Sequence, residues 1–234
     1  MDKPNLKHYY DFSSVMLNHL LIQTIDPKIQ FSEVTNWHSS HPYYRLNYYN
    51  NIQVSQVLGI YLLFNKDWLS QFDNIIEIGS YNGGLSSYIF DSRKPNTYFA
   101  SYDIDPSINT VVNEFKRTDI NFVIGDCFDE TIFKEIADGI QQEGKTLLIC
   151  DGGFKTREFN DFSKYLKKDD IIILHDYKDE NQEELFFEAK EYWQWPYMFE
   201  CSYDSIKEAV TNNNLEKYEY DKFLFHFWGA FIKK

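Results

Sequence analysis

The chain has 234 residues, of which 43% are hydrophobic, so it is long enough for one large α/β domain and too apolar for global disorder. Its formal charge is −13, from 23 basic and 36 acidic residues, which argues against a nucleic-acid partner because such a field repels phosphate backbones. Three cysteines without disulfide or metal spacing, and no apolar run of membrane-spanning length, predict a cytoplasmic protein that does not enter a membrane.

Residues 1–70 are predicted to form a helical and aromatic extension that contributes to the substrate site. Apolar residues recur at helical spacing over 12–22 and again over 52–69, which predicts two helices. Between the helices lies a segment rich in aromatic and polar side chains, namely Trp37, His38, His41, Tyr43, Tyr44, Arg45, Tyr48 and Tyr49.

Residues 71–234 alternate between strand and helix signals. Apolar strands are predicted over 75–78, 98–102, 121–124, 146–150 and 171–174, with helices over 85–90, 108–116, 129–141 and 156–166. Strands that are apolar throughout and alternate with helices indicate a parallel sheet covered on both faces. Two closely spaced strand signals, over 216–220 and 223–231, predict a closing antiparallel pair. The predicted fold class is therefore α/β, a Rossmann-like, doubly wound, mostly parallel seven-stranded sheet with an antiparallel C-terminal strand.

The most informative stretch is a glycine-rich turn between the first of these strands and its helix. The strand ends at Gly79, the chain turns over Gly83 and Gly84, and a helix follows. Such a turn brings bare backbone to a ligand and aims the N-terminus of the helix at it. A dinucleotide fingerprint needs a second glycine two residues after the first, and Tyr81 stands there instead. A nicotinamide-dependent oxidoreductase is therefore disfavoured.

Two aspartates follow the next two predicted strands. Ligands of open α/β sheets bind at the carboxyl ends of the strands, where these residues lie. Asp103 offers two acceptor oxygens to the diol of a ribose, and Asp126 can accept a hydrogen bond from an adenine amino group. Either aspartate alone is also a common helix cap or turn residue. Their recurrence in order after Gly79 predicts a nucleoside site.

The span 74–234 resembles the class I S-adenosylmethionine-dependent methyltransferases. Glu77-Ile-Gly-Ser-Tyr-Asn-Gly-Gly-Leu-Ser is similar to the first motif of small-molecule O-methyltransferases, the cephalosporin hydroxylase and macrolide sugar O-methyltransferase group in particular. Cys150-Asp-Gly-Gly-Phe-Lys-Thr-Arg-Glu-Phe and Ile173-Leu-His-Asp-Tyr match a pattern of polysaccharide gene clusters. The resemblance implies S-adenosyl-L-methionine as cofactor. Its expected contacts are Glu77, Gly79, Ser80, Tyr81, Gly83, Asp103, Ile104, Asp126, Cys127 and Asp151.

The resemblance also implies a divalent metal, held by Asp151 after the fourth strand and by a pair after the fifth, here His175 and Asp176. Histidine stands where these relatives usually have an acidic residue. Two carboxylates favour Mg²⁺, and an added imidazole shifts the preference toward Mn²⁺ or Fe²⁺. Such an ion lowers the pKa of an acceptor hydroxyl as a Lewis acid. The alternative is that His175 caps the strand end and Asp176 caps the following turn.

A catalytic base is the next requirement. The relatives place Lys or His three residues after the first metal aspartate, a position that Phe154 occupies here and cannot serve. Lys155 is the predicted base, provided that burial and a neighbouring cation lower its pKa, and His175 is the second candidate. The alternative for Lys155 is a solvated lysine at a helix start.

The expected reaction is methyl transfer to a sugar hydroxyl, on a nucleotide-linked sugar or a polysaccharide end. Aromatic side chains suit sugar rings, and further ones follow the fifth strand, namely Trp193, Trp195, Tyr197 and Tyr203, although each could equally serve packing. A metal-independent methyltransferase of another small molecule and a non-catalytic cofactor-binding module remain alternatives. The oligomeric state, a homo-oligomer included, is left open.

Overall fold

The computed structural model describes residues 28–31, 47–54, 63–106, 116–179, 200–219, 223 and 228–234. Its first element is a three-stranded antiparallel sheet of β1 (Ile29–Phe31), β2 (Asn47–Tyr49) and β3 (Ile52–Val54). Asn50 and Asn51 join β2 to β3 with φ angles of 50° and 68°, the backbone that a two-residue hairpin turn requires.

The helix predicted over 52–69 is therefore wrong at its start. Ile52 pairs with Tyr49 across the hairpin, so tertiary pairing overrides the helical spacing of the apolar residues. Helix α1 (Lys66–Leu69) occupies the end of that range, and the side chain of Asn65 caps it by accepting the N–H of Trp68. The predicted helix over 12–22 lies outside the described residues.

Seven strands form the central sheet. Five run parallel, namely β4 (Asn74–Ile78), β5 (Tyr98–Asp103), β6 (Asn121–Ile124), β7 (Thr146–Cys150) and β8 (Ile171–Leu174). A short parallel pair, β9 (Tyr177–Lys178) with β10 (Cys201–Ser202), lies outside this sheet. The central sheet is completed near the C-terminus by β11 (Leu215–Lys217) and β12 (Gly229–Lys233). Its strand order is β11-β12-β8-β7-β4-β5-β6, and β12 is antiparallel to both of its neighbours.

The predicted fold class is confirmed by this topology, and the five parallel strands lie where the sequence places them. The closing antiparallel pair is also confirmed, but its strands, Leu215–Lys217 and Gly229–Lys233, are shorter than the predicted ones and only partly overlap them. Phe223 and Trp228 belong to the buried core instead of the second strand.

Helices cover both faces of the sheet, which is why its strands are apolar throughout. They are α2 (Gly84–Ser92), α3 (Glu130–Ile140), α4 (Lys155–Phe162) and α5 (Tyr203–Asn212). Alternate residues of one strand face opposite sides, so Ile75 packs in the cluster under α2 and Ile76 in the cluster under α3 and α4. Of the helix predicted over 108–116, only residue 116 is described, and it lies in a turn.

The small N-terminal sheet packs against α2. Tyr49 is fully buried, its ring contacts Tyr88 edge-on at 5.3 Å, and its hydroxyl donates to Asp91 at 2.8 Å. Asp91 also accepts a hydrogen bond from the buried Arg117 at 2.9 Å. Within the described ranges, no helix has both the length and the apolar character needed to cross a bilayer.

Candidate active site at the carboxyl edge of the sheet

Strand register places four of the predicted site residues in one row. Ile78 pairs with Tyr102 on one side and with Cys150 on the other, and Cys150 pairs with Leu174. The residues that follow these positions are Asp103, Gly79, Asp151 and His175, one at the carboxyl end of each of four adjacent strands. Neighbouring strands are about 4.8 Å apart, so the row is on the order of 15 Å long.

The strand order reverses within this row. From β4 the chain proceeds outward to β5 and β6, and then returns to β7 on the other side of β4. The crevice outside the carboxyl ends of the two strands at such a switch point is the usual ligand site of an open α/β sheet. Gly79 and Asp151 stand at this switch point.

Gly79 must be glycine for two reasons. Its φ is 93°, and a Cβ placed on it would lie 2.2 Å from the carbonyl oxygen of Asp151. The chain then turns through Tyr81 and Gly83, with φ of 48° and 73°, before α2 begins at Gly84. The turn thus presents backbone and a helix N-terminus toward the crevice, as the sequence predicts.

Glu77 lies beneath this turn with only 1% of its surface exposed. Its carboxylate accepts hydrogen bonds from the hydroxyls of Ser86, at 2.5 Å, and of Ser101. Burial raises the pKa of Glu77 to about 7, although the two hydroxyls act in the opposite direction. The hydroxyl of Ser80 also bonds to Ser101 in the interior. The side chains of Glu77 and Ser80 therefore support the turn from below, and their direct contact with a cofactor remains a prediction.

Asp103 shapes the neighbouring loop. One carboxylate oxygen accepts the N–H of Tyr81 at 2.7 Å and the other accepts the N–H of Asp105 at 2.8 Å. The carboxylate thus lies beside the glycine turn, as a ligand contact there requires. On the next strand, Asp126 accepts the N–H of Phe128 at 2.9 Å, the turn role that the sequence leaves open for it. Cys127 beside it is buried.

Three large apolar side chains stand exposed in the loops around the row. Tyr81, Ile104 and Phe154 follow β4, β5 and β7, and are 54%, 69% and 70% exposed. Folding buries most side chains of this kind, and ligand crevices are lined mainly by apolar groups with a few polar ones. Tyr81 and Ile104 are next to Asp103, one through its backbone N–H and the other as its neighbour in the chain, so apolar surface is available beside that carboxylate.

Asp151, His175 and Asp176 meet at the other end of the row. Nδ1 of His175 is 2.9 Å from Oδ1 of Asp151 and 3.5 Å from Oδ2 of Asp176, and one ligand atom from each residue lies within 4.8 Å of the others. Burial lowers the pKa of His175, but the two carboxylates outweigh this and raise it above its ordinary value. Burial raises the pKa of Asp176.

These three residues fit a divalent cation. Two carboxylates and an imidazole are ligands that Mn²⁺ and Fe²⁺ accept, and the donor atoms are already close together. The ring of His175 lies 4.6 Å from that of the buried Trp228, which limits the orientations open to the imidazole. Asp176, whose carboxylate completes the group, has a φ of 52°, which is an uncommon backbone angle for a residue other than glycine.

Lys155 is the fourth member of this cluster, and it is buried instead of solvated. Its Nζ donates to Oε2 of Glu200 at 2.5 Å and to the carbonyl oxygen of Gly152 at 3.0 Å. It also lies 3.7 Å from Oδ1 of Asp151 and 3.4 Å from Oδ2 of Asp176.

The protein's own groups do not lower the pKa of Lys155, contrary to what its predicted role as a base requires. Burial lowers it, but the carboxylates of Asp151, Glu200 and Asp176 outweigh burial and raise the pKa above its ordinary value. Lys155 is thus an ammonium ion, and the sequence argument did not anticipate Glu200, which reaches it across 45 positions.

Glu158 is a second residue that the motif analysis overlooks. It is buried, and its carboxylate accepts the N–H of Gly152 at 3.2 Å and of Phe154 at 3.1 Å. Burial raises its pKa to about 7, against the effect of these two hydrogen bonds. Glu158 thereby fixes the loop between Asp151 and Lys155. A glutamate in the first turn of α4 that reaches back to preceding N–H groups is the signal that could have found it.

The predicted substrate aromatics are mostly outside the described residues, namely Trp37, His38, His41, Tyr43, Tyr44, Arg45, Trp193, Trp195 and Tyr197. Of the remainder, Tyr49 belongs to the core, and Tyr48 is half-buried in β2. Tyr203 begins α5, packs against the core and lies under the ammonium of Lys217 at 4.7 Å. For Tyr49 and Tyr203, packing is the role that the structure shows.

No protein-family model matches the chain, and no curated protein matches it. Solved structures do. A protein from Staphylococcus aureus assigned as a caffeoyl-CoA O-methyltransferase is 11% identical, with 97% of this chain and 96% of that one covered and a TM-score of 0.49. Human N-acetylserotonin methyltransferase, in complex with SAM, is 14% identical with a TM-score of 0.45, over 71% of this chain and 48% of that one.

The O-methyltransferase TomG from Streptomyces achromogenes, involved in tomaymycin synthesis and solved with SAM, is 11% identical over 74% of this chain and 78% of that one, with a TM-score of 0.43. The chain spans about half the length of the human enzyme. The fold assignment given above rests on the topology of the sheet itself.

Proposed function

We propose that this chain is an S-adenosylmethionine-dependent O-methyltransferase that acts on a sugar hydroxyl with the help of a divalent metal. The observation that carries the proposal is the row Asp103, Gly79, Asp151, His175 across the switch point of the sheet. It sets a diol acceptor, a bare glycine turn and a metal-ligand cluster side by side. That is the order in which a nucleoside, its reactive group and an acceptor would have to lie.

The cofactor half of the row is formed by residues on β4, β5 and the loops after them. Each oxygen of Asp103 already accepts one backbone N–H and retains a further lone pair for a ribose hydroxyl. The N-terminus of α2 suits a ligand carboxylate, because its N–H groups and dipole attract an anion. Ile104 and Tyr81 supply apolar surface for a flat base. The cofactor, when bound, supplies the methyl group as a sulfonium.

The acceptor half is formed by residues after β7 and β8. Asp151, His175 and Asp176 would hold a divalent ion, which acts there as a Lewis acid toward a hydroxyl. Glu158 fixes the loop that carries Asp151, so that the row keeps its spacing. Most of the rate of a methyl transfer comes from in-line positioning, which a rigid row of strand ends provides.

The general base is assigned to Lys155 within this proposal, with His175 in reserve. Nζ of Lys155 lies at the centre of the acceptor half, within 4 Å of both metal-site carboxylates. To act as a base, Lys155 must first lose a proton from its ammonium, and the carboxylates of Asp151, Glu200 and Asp176 oppose this loss because they stabilise the charged form. A role for the ammonium in holding the acceptor oxygen requires no such loss.

The sugar acceptor is inferred from sequence composition. Aromatic and polar residues are concentrated in the segments 37–48 and 193–197, which remain of the two predicted acceptor segments once Tyr49 and Tyr203 are assigned to packing. Aromatic faces pack against the C–H faces of sugar rings, while hydroxyls need polar partners.

Calorimetry with S-adenosylhomocysteine and NAD tests the cofactor half. We expect S-adenosylhomocysteine to bind and NAD to give no heat, and the reverse result would make the chain an oxidoreductase. Incubation with S-adenosylmethionine and a panel of nucleotide sugars and glycan ends, read by mass spectrometry, tests the reaction. Methyl transfer should be lost after dialysis against EDTA and return with Mg²⁺ or Mn²⁺. Full turnover in EDTA would refute metal assistance.

A further inference from the structure

We propose that the ammonium of Lys155 and a divalent ion are alternative occupants of one cation site. Glu200 is then the positioning residue, which holds the ammonium at the edge of the site while the ion is bound. The inference rests on the metal-assisted function proposed above. It concerns Lys155 and Glu200 as residues that control metal occupancy, apart from any role in proton transfer.

The two cations would use the same oxygen atoms. Oδ1 of Asp151 and Oδ2 of Asp176 face Nδ1 of His175 at 2.9 Å and 3.5 Å, as a metal-ligand set requires. The same two atoms face Nζ of Lys155 at 3.7 Å and 3.4 Å. These Nζ distances exceed those of good hydrogen bonds, so the ammonium is held there mainly by charge.

The direct hydrogen bonds of Lys155 go to Gly152 and Glu200 instead. Nζ donates to the carbonyl oxygen of Gly152 at 3.0 Å and to Oε2 of Glu200 at 2.5 Å. The side chain of Glu200 is 51% exposed, whereas that of Lys155 is 6% exposed, so Glu200 lies at the rim of the cluster. An ammonium tethered to the rim can withdraw toward it without losing its carboxylate partner.

The net negative charge of the cluster favours the entry of a divalent ion, and repulsion between the two cations opposes their use of the same oxygen atoms at one time. Asp151, Asp176 and Glu200 supply three carboxylates around one ammonium, which leaves the cluster able to accept further positive charge. A divalent ion on Asp151 and Asp176 would repel an ammonium that stays less than 4 Å from their oxygens. Two like unit charges about 5 Å apart change an affinity by more than tenfold, even in a medium of effective dielectric constant about 20.

The test is Mn²⁺ binding without cofactor or acceptor, measured by calorimetry on the full chain. Lys155→Met keeps the buried aliphatic stem and removes the charge, and Lys155→Arg is the matched control that keeps the charge. We expect Lys155→Met to bind Mn²⁺ roughly 10–100-fold more tightly than the wild type, and Lys155→Arg to bind no more tightly than the wild type. Glu200→Gln, which releases the tether, should weaken Mn²⁺ binding in the wild type more than in the Lys155→Met background.

Each outcome decides between the inference and the proposed function. If Lys155→Met and the wild type bind Mn²⁺ with equal affinity, the shared cation site is refuted, while metal assistance in the reaction is still supported. Binding by Lys155→Met alone supports the shared site and refutes metal assistance in the wild type, whose ammonium would then be the permanent cation. If neither protein binds Mn²⁺, both ideas fail.

A second measurement uses the wild type and does not depend on a variant that folds. Reductive methylation of Lys155, followed by mass spectrometry, reports how accessible its amine is. We expect saturating Mn²⁺ to accelerate the labelling of Lys155 several-fold, because the ammonium moves to the rim. The exposed amine of Lys207 on α5 serves as the internal reference. Unchanged labelling of Lys155 with Mn²⁺ bound would overturn the inference.

Discussion

Replacing Glu77 with Gln is expected to remove the part of the pH dependence of folding stability that comes from the buried carboxyl group of Glu77, beneath the glycine turn. Glu77 is 1% exposed, and its carboxylate accepts hydrogen bonds from Ser86 and Ser101. Burial in this position disfavours the ionised form and raises the pKa to about 7, despite the two hydroxyls. Glutamine has the same shape and no charge to desolvate.

The sign and size follow from the two pKa values. The folded protein binds this proton more tightly than the unfolded chain, whose ordinary value is 4.5. The stabilisation is therefore complete below about pH 4.5 and is lost as the pH rises through about 7. The difference corresponds to roughly 3 kcal/mol, since each tenfold change in proton affinity is about 1.4 kcal/mol. Between pH 5 and pH 8, roughly 2–3 kcal/mol of it should be lost.

Urea unfolding of both proteins at pH 5 and pH 8 measures the effect. The free energy of unfolding of Glu77→Gln, relative to the wild type, should rise by roughly 2–3 kcal/mol from pH 5 to pH 8. The comparison cancels the contribution of Glu158, which both proteins share. Glu208→Gln, at an exposed position of α5, should show no such rise. If Glu77→Gln follows the wild type in parallel at both pH values, the buried carboxylate does not titrate as argued.

Three further substitutions test the row and its supports. Asp103→Ala should weaken S-adenosylhomocysteine binding by about 1.5–3 kcal/mol in calorimetry, through lost charge-assisted hydrogen bonds, and unchanged affinity would reject the ribose role. Gly79→Ala should destabilise the fold by roughly 2–4 kcal/mol in urea, because its Cβ would meet the carbonyl of Asp151 at a φ of 93°. Gly153→Ala, whose Cβ meets nothing within 4 Å, is the control and should be nearly neutral by comparison. Glu158→Gln should cost roughly 1–3 kcal/mol and weaken Mn²⁺ binding, because an amide can accept only one of the two loop N–H groups, and intact Mn²⁺ affinity would show that the loop holds without it.

The order of the site could be predicted because each of its residues follows a strand with a strong local signal. Runs such as Ile171–Leu174 are short, β-branched and apolar, and their ends fall at the same edge of a parallel sheet. The motif after each strand therefore arrives at a known place once the strand order is given. Asp151, His175 and Asp176 lie together as the sequence predicts, for this reason.

Two elements were predicted wrongly where a local pattern along the chain did not decide the structure. Helical spacing over 52–69 misled at Ile52 because an Asn50-Asn51 turn with two positive φ angles commits the chain to a hairpin. The last two strands were displaced because Phe223 and Trp228, which read as strand residues, are needed in the core. In the first case the chemistry of a local turn outweighed the helical spacing, and in the second case packing against distant residues outweighed a local strand propensity.

By itself the sequence determined the parallel sheet, the glycine turn at its switch point and the set of polar residues at its edge, because hydrophobic period and turn chemistry are local properties of the chain. Only the tertiary structure decided what those polar residues touch. Lys155 was expected beside a metal aspartate, but its partner Glu200 is 45 positions away and precedes β10, which the tertiary structure places beside β9. The charge state of a buried lysine depends on every carboxylate within a few ångströms of it. Folding brings those carboxylates together from distant parts of the chain, so the spacing of residues in the sequence does not reveal them.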